Sequence, residues 1–224
     1  MDKVLNEIKD IALKYININK IVLFGSRARG DNTDKSDYDI AVFSKNMDFI
    51  DECKFADDID NIETFYKIDI VFIKAKHINT DLYKNIMNDG VVIMDKFQTK
   101  LDNYTNALAR LNESISKVNV YDDLTFRDGI IQRFEFTTEL AWKTIREYLL
   151  TQGVSDINTP RNVMKSAFNA DIITNEEGWF AILRDRNSTS HIYDEDEANE
   201  IFNRITTQHI KLFNELADHL SKMI

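Results

Sequence analysis

The chain reads as an α+β protein: a small mixed α/β domain followed by an all-α helical bundle. Three observations carry that expectation. Short apolar, β-branched runs alternate with helical stretches as far as Met94 and then cease. Beyond Lys96, apolar residues recur every three or four positions over long spans. The 224 residues include one proline and six glycines, too few for a many-turned β architecture and suited to long helices.

Each element follows from its local pattern. Val4, Ile8, Ile11, Ala12 and Tyr15 have helical spacing and predict an amphipathic first helix. IVLFG (21–25) is a short apolar run stopped by glycine. YDIAVF (38–43), KIDIVFI (67–73) and VVIM (91–94) predict three further strands. Residues 48–62 and 78–88 read as helices between them. A helix is expected over 99–118, and Ile130, Phe134, Thr137, Ala141, Ile145 and Tyr148 mark a long one that Gly153 stops. Thr159-Pro160 opens another, with proline in the first turn where its missing N–H is no loss. Residues 176–186 make a fourth. Ala198, Ile201, Phe202, Ile205, Leu212, Phe213, Leu216 and Leu220 build a long last helix, which Asp194 and Glu197 open as a capping box. The expected domains are 1–97 and 98–224, with a short join.

Composition narrows the function classes. A single cysteine, Cys53, excludes an internal disulfide framework and fits a reducing cytoplasm; the thiol is expected to be buried and inert. No apolar run is long enough to cross a membrane, and no signal-peptide pattern opens the chain. The formal net charge is −10. Residues 1–98 hold 14 basic and 18 acidic residues, and the rest hold 14 and 20. Neither half has the bulk positive charge that drives non-specific nucleic-acid binding, so such a role needs a local site.

The most informative stretch is GSRARGDNTDKSDYDI (25–40). Gly25 and Ser26 end an apolar strand, where a tight turn directs backbone N–H groups and a hydroxyl toward a cleft, an arrangement suited to triphosphate oxygens. Asp37 and Asp39 lie two apart, so their carboxylates share a face. Asp69 interrupts the apolar IDIVF, where a charge is expensive unless paired or bound to metal. Hard oxygen ligands of this kind suit Mg2+. Three converging aspartates fit a two-metal site that activates a hydroxyl for displacement at phosphorus. Arg27 and Arg29 flank the turn and are candidate phosphate donors or solvated loop arginines. Asp31, Asp34 and Asp48 read as plain surface acids.

Glycine–serine, then D-x-D, then a later strand aspartate resembles the DNA polymerase β-like nucleotidyltransferases, and GSRARG resembles their minimal (MNT) branch. The resemblance spans about residues 1–94. It implies that Gly25 and Ser26 hold the triphosphate of ATP, with Arg27 a further candidate nucleotide contact. It also implies that Asp37, Asp39 and Asp69 bind Mg2+, with Asp69 a general base.

A second constellation is RNSTSHIY (186–193). Arg186 and His191 are five apart, which on a continuous helix separates them by roughly 140°. The intervening Ser-Thr-Ser favours a helix break that folds His191 back beside Arg186. Histidine as acid–base and arginine as phosphate clamp suit metal-free RNA cleavage. Tyr193 precedes the expected N-cap Asp194. FEFTTELAWKTIREYL (134–149) and RDRNSTSHIYDE (184–195) resemble the HEPN domains of the nucleotidyltransferase substrate-binding type, over about 99–223. That resemblance implies a ribonuclease site of Arg186, Asn187 and His191, usually across a dimer, and Tyr193 as the acceptor of AMP from an MNT partner. Trp142, Trp179 and His209 read as structural.

The expected function is AMP transfer from ATP to Tyr193 of this chain or of a second HEPN chain. This is a toxin–antitoxin arrangement fused in one polypeptide, with RNA as a possible substrate of the helical domain and a homodimer as the assembly. A small-molecule nucleotidyltransferase of aminoglycoside-modifying type and a non-catalytic dimerisation module remain open alternatives.

Overall fold

The computed structural model describes residues 2–118, 123–189 and 194–223. It divides into two compact units, Met1–Lys96 and Phe97–Ile224.

In the first unit the order is α1 (Lys3–Lys14), β1 (Ile18–Phe24), α2 (Gly25–Arg29), β2 (Tyr38–Ser44), α3 (Phe49–Asp60), β3 (Ile68–Ile73), a 3-10 turn (Ala75–His77), α4 (Asp81–Asp89) and β4 (Val91–Asp95). The sheet runs β3-β2-β1-β4, with β1 antiparallel to β2 and β4, and β2 parallel to β3. Strand side chains alternate between faces. Ile21, Leu23, Ile40 and Val42 therefore pack with Ile8 of α1 and Phe55 and Ile59 of α3. Val22 and Ala41 point the other way and meet Ile86 of α4. The helices start where their caps require. Asp2 accepts from the Leu5 N–H at 2.9 Å, Asp48 from Asp51 at 2.8 Å, and Thr80 from Tyr83 at 3.2 Å.

The expected tight turn at Gly25 is instead a short helix, α2, because Gly25 at φ +73° redirects the chain straight from β1 into helical geometry. Cys53 lies on α3 as expected but is exposed, not buried. Phe55 and Ile59 turn toward the sheet, and Cys53 falls on the opposite side of the helix.

The second unit comprises α5 (Lys96–Ser116), α6 (Leu124–Thr151), α7 (Pro160–Asn169), α8 (Glu176–Thr189), α9 (Glu195–Arg204), a π turn (Ile205–His209) and α10 (Ile210–Leu220). Asp123 caps α6 and Thr159 caps α7, with Pro160 in its first turn. Gly153, at φ +102°, follows the end of α6. Trp179, Tyr104, Phe134, Phe213 and Leu111 fill the core. The Tyr104 hydroxyl satisfies its buried polarity by donating to the Phe213 carbonyl at 2.7 Å.

Three expectations are refined here. Helix α8 runs through Ser188 to Thr189, beyond the expected end at Arg186, and the Thr189 hydroxyl bonds back to the Arg186 carbonyl at 2.7 Å. Asp194 does cap α9, but its carboxylate accepts from the Asp196 N–H rather than from Glu197. The long last helix is interrupted by the π turn, which rotates His209 into the core.

Candidate active site

In the first unit the sheet register assembles the acidic residues. Asp39 stands opposite Phe24 across β1–β2 and opposite Asp69 across β2–β3. One row of three strands thus carries the Phe24–Gly25 junction and two carboxylates at neighbouring positions. A Cβ placed on Gly25 would lie 2.2 Å from Asp39 Oδ2, so only glycine allows the chain to pass this carboxylate. Asp37, one residue before β2, is exposed, whereas Asp39 and Asp69 are partly buried. Burial, then the charges of Asp69 and Asp37, push the Asp39 carboxyl above its ordinary value. Asp39 thus feels the charge of both neighbouring aspartates.

Lys67 answers part of that repulsion. Its ammonium reaches Asp69 Oδ1 at 2.7 Å and Oδ2 at 2.8 Å, and the hydrogen bond raises the lysine above its ordinary value. Lys67 was not among the expected site residues. The signal was in the sequence, since Lys67 and Asp69 are two apart on a strand edge and share a side. Among the described residues no group of three or more histidine, cysteine, aspartate or glutamate side chains is gathered into a ready metal centre. The donor chemistry nonetheless fits a hard divalent cation. It is all carboxylate oxygen, burial and its charges raise the Asp39 carboxyl, and the Gly25 backbone runs close beside Asp39 with no side chain between.

Ser26 follows Gly25 in the first turn of α2, next to this row. Arg27 is engaged elsewhere. Its Nε and Nη2 donate to the Ser36 carbonyl at 3.0 and 2.8 Å. Its guanidinium lies 4.0 Å from the Tyr38 ring centre and 4.6 Å from that of Tyr66. The arginine thereby pins the loop that presents Asp37. Arg29 pairs with Asp31 at 3.2 Å on the exposed surface.

In the second unit Arg186 lies on the last turn of α8, with Asn187 beside it; Arg186 Nη1 donates to Asn187 Oδ1 at 3.3 Å. Nη2 stands 3.7 Å from Glu139 of α6. His191 and Tyr193 lie outside the described residues. Asp185, just before Arg186, is buried at 8% exposure. It accepts from Arg204 Nε and Nη2 at 2.8 and 3.0 Å, and it meets His209 Nε2 at 2.7 Å. His209 stacks on Phe134, with ring centres 5.5 Å apart. Its structural reading therefore has a partner that the sequence did not reveal.

The polymerase beta nucleotidyltransferase family matches residues 6–99. The family described as nucleotidyltransferase substrate binding protein like matches residues 99–222, more than half of the chain. This chain belongs to the nucleotidyltransferase superfamily, joined to a nucleotidyltransferase substrate-binding (HEPN-like) domain. A relative from Methanocaldococcus jannaschii, provisionally named a protein adenylyltransferase, is 30% identical over 97 residues, covering 40% of this nucleotidyltransferase chain and 97% of the relative. A relative from Haemophilus influenzae, named a probable ribonuclease HepT, is 31% identical over 81 residues. That match covers 34% of this chain and spans 56% of the relative's length. A solved Haemophilus influenzae structure, described as the fold of a substrate binding domain of a nucleotidyltransferase, is 24% identical. It covers 54% of this chain and 98% of its own, at a TM-score of 0.49. Among the described residues no helix is long and apolar enough to cross a membrane.

Proposed function

We propose that this nucleotidyltransferase moves AMP from ATP to a protein tyrosine, Tyr193 of its own helical domain or of a second copy. The observation that carries the reading is the Asp39–Asp69 row, passed by a glycine that leaves no room for a side chain. In this reading Gly25 and Ser26 receive the triphosphate at the start of α2. Asp37, Asp39 and Asp69 would hold Mg2+, which when bound supplies charge neutralisation at the phosphates. The tyrosine oxygen attacks the α-phosphorus, and pyrophosphate leaves. In this reading Asp69 takes the phenolic proton, and its ion pair with Lys67 orients that carboxylate. Arg27 acts through the loop it pins rather than on phosphate.

The provisional name of the Methanocaldococcus jannaschii relative supports protein over antibiotic as the acceptor. Fusion of the two domains keeps the proposed donor site and the proposed acceptor in one polypeptide. Arg186, Asn187 and His191 are the residues proposed to cleave RNA when Tyr193 is unmodified, and a homodimer is the proposed assembly. Intact-mass measurement after incubation with ATP and Mg2+ tests the reading. A mass gain of AMP units is expected in the parent chain and absent in Tyr193→Phe and in Asp37→Ala. Unchanged mass in the parent, or an undiminished gain in Tyr193→Phe, overturns the tyrosine assignment.

A further inference from the structure

Tyr38 opens β2 between Asp37 and Asp39. Strand alternation turns its side chain to the opposite face from Asp39, where it is buried at 3% exposure in the core cluster that includes Leu5 and Ile8 of α1. It is the inward anchor of a segment that carries two of the three site aspartates. The Arg27 guanidinium covers its ring at 4.0 Å, the Tyr66 ring meets it edge-on at 5.7 Å, and its N–H donates to the Lys67 carbonyl at 2.9 Å. The hydroxyl donates to Asp2 Oδ2 at 2.9 Å, 36 positions back in the chain.

Neither partner needs this bond for its own element. Capping α1 uses only the other oxygen, Asp2 Oδ1, which accepts from the Leu5 N–H at 2.9 Å. A hydroxyl would serve as well there, as those of Thr80 and Thr159 do for α4 and α7. Filling the core at position 38 needs a ring but no hydroxyl, since phenylalanine brings no polar atom to satisfy. The aspartate cap and the tyrosine anchor together tie the start of α1 to the segment that presents Asp37 and Asp39. Arg27 holds the same segment from the other side, with two bonds to the Ser36 carbonyl at 3.0 and 2.8 Å. Carboxylates of like charge oppose being held together, so contacts outside the site must fix their spacing.

We propose that Asp2 is a positioning residue of the site: through the Tyr38 hydroxyl it fixes Asp37 and Asp39 in the spacing that receives a divalent cation. The inference rests on the reading of these aspartates as metal ligands, but not on the identity of the acceptor. Asp2 acts on the cation only through Tyr38.

Binding of Mn2+ to the full-length protein without nucleotide, followed by loss of the free-ion electron paramagnetic resonance signal, tests the tie apart from catalysis. Asp2→Ser keeps a cap for α1 but is too short to hold Tyr38 as well, and it is expected to weaken Mn2+ about tenfold. Tyr38→Phe keeps the ring beneath Arg27 and is expected to weaken binding by the same factor. The double variant should bind no more weakly than either single one, because both remove the same bond. Asp2→Asn removes the same charge as Asp2→Ser but retains a cap and a group that bonds the hydroxyl, so near-parental affinity is expected. Far-UV circular dichroism confirms that each chain compared is folded. Parental Mn2+ affinity in folded Asp2→Ser and Tyr38→Phe overturns the inference and leaves the metal site standing. Equal weakening in Asp2→Asn and Asp2→Ser overturns it too, since charge alone then accounts for the effect. So do fully additive losses in the double variant. A parent chain that binds no Mn2+ instead overturns the metal reading of Asp37, Asp39 and Asp69, and this inference with it.

Discussion

Gly25 shows how one residue couples backbone to chemistry. It adopts φ +73°, and a Cβ there would lie 2.2 Å from Asp39 Oδ2. Gly25→Ala must therefore strain the backbone and displace the carboxylate together. We expect a loss of about 1–3 kcal/mol in urea unfolding of the first unit. Nucleotidyl transfer is expected to fall far more than stability does, because Asp39 is the group that moves. A fully active Gly25→Ala chain contradicts this placement of the site. At the same scale, the pattern G-S…D-x-D was readable because glycine, serine and alternating aspartates carry their meaning locally. Arg27 was not readable in this way. Its stacking partner Tyr66 comes from a loop far along the chain, so only folding reveals that the guanidinium secures a loop.

Among the elements, the tie between α8 and the π turn is the one most exposed to test. Burial pushes the Asp185 carboxyl up, but the hydrogen bonds from His209 and Arg204 outweigh it and hold the group below its ordinary 3.8. A carboxyl held low stabilises the fold while ionised. That contribution is complete above the ordinary value and is lost as pH falls through the lower folded value. Stability of the second unit should therefore drop on acidification below about pH 4. In Asp185→Asn this acid-dependent fall should be shallower, and stability at neutral pH lower by about 1–3 kcal/mol. Chemical denaturation across pH, followed by tryptophan emission, compares the two chains; parallel pH curves would remove Asp185 from this role. The helices themselves were legible from apolar spacing, and α6 ends just before the expected stop at Gly153 while α7 begins at the expected Thr159-Pro160. The π turn was not, because an extra residue within a helix leaves the apolar pattern on either side intact.

For the molecule as a whole, each unit has its own main core, one around Ile8, Ile40 and Phe55 and one around Trp179, Phe134 and Phe213. Both tryptophans belong to the second. Ile40→Ala, at 1% exposure, should cost the first unit about 2–5 kcal/mol. It should shift a far-UV transition while leaving the tryptophan-detected midpoint in place. A common shift of both probes would show that the two cores unfold as one cooperative body.

The sequence by itself determined the order of the main strands and helices, the division into an α/β part and a helical part, and which acidic residues are candidates for a site. Those properties rest on periodicities of two and of 3.6 and on local turn chemistry, which neighbouring residues write together. Only the tertiary structure decided which groups share a site. It set Asp39 beside Asp69 and gave Asp69 to Lys67, turned Arg27 onto two tyrosines, and joined Asp185 to His209. It also tied Asp2, at the start of α1, to the Tyr38 hydroxyl. The physical reason is range. Strand register and helix packing bring together charges distant in the chain, and electrostatic strength depends on separation in space and burial, not on sequence distance.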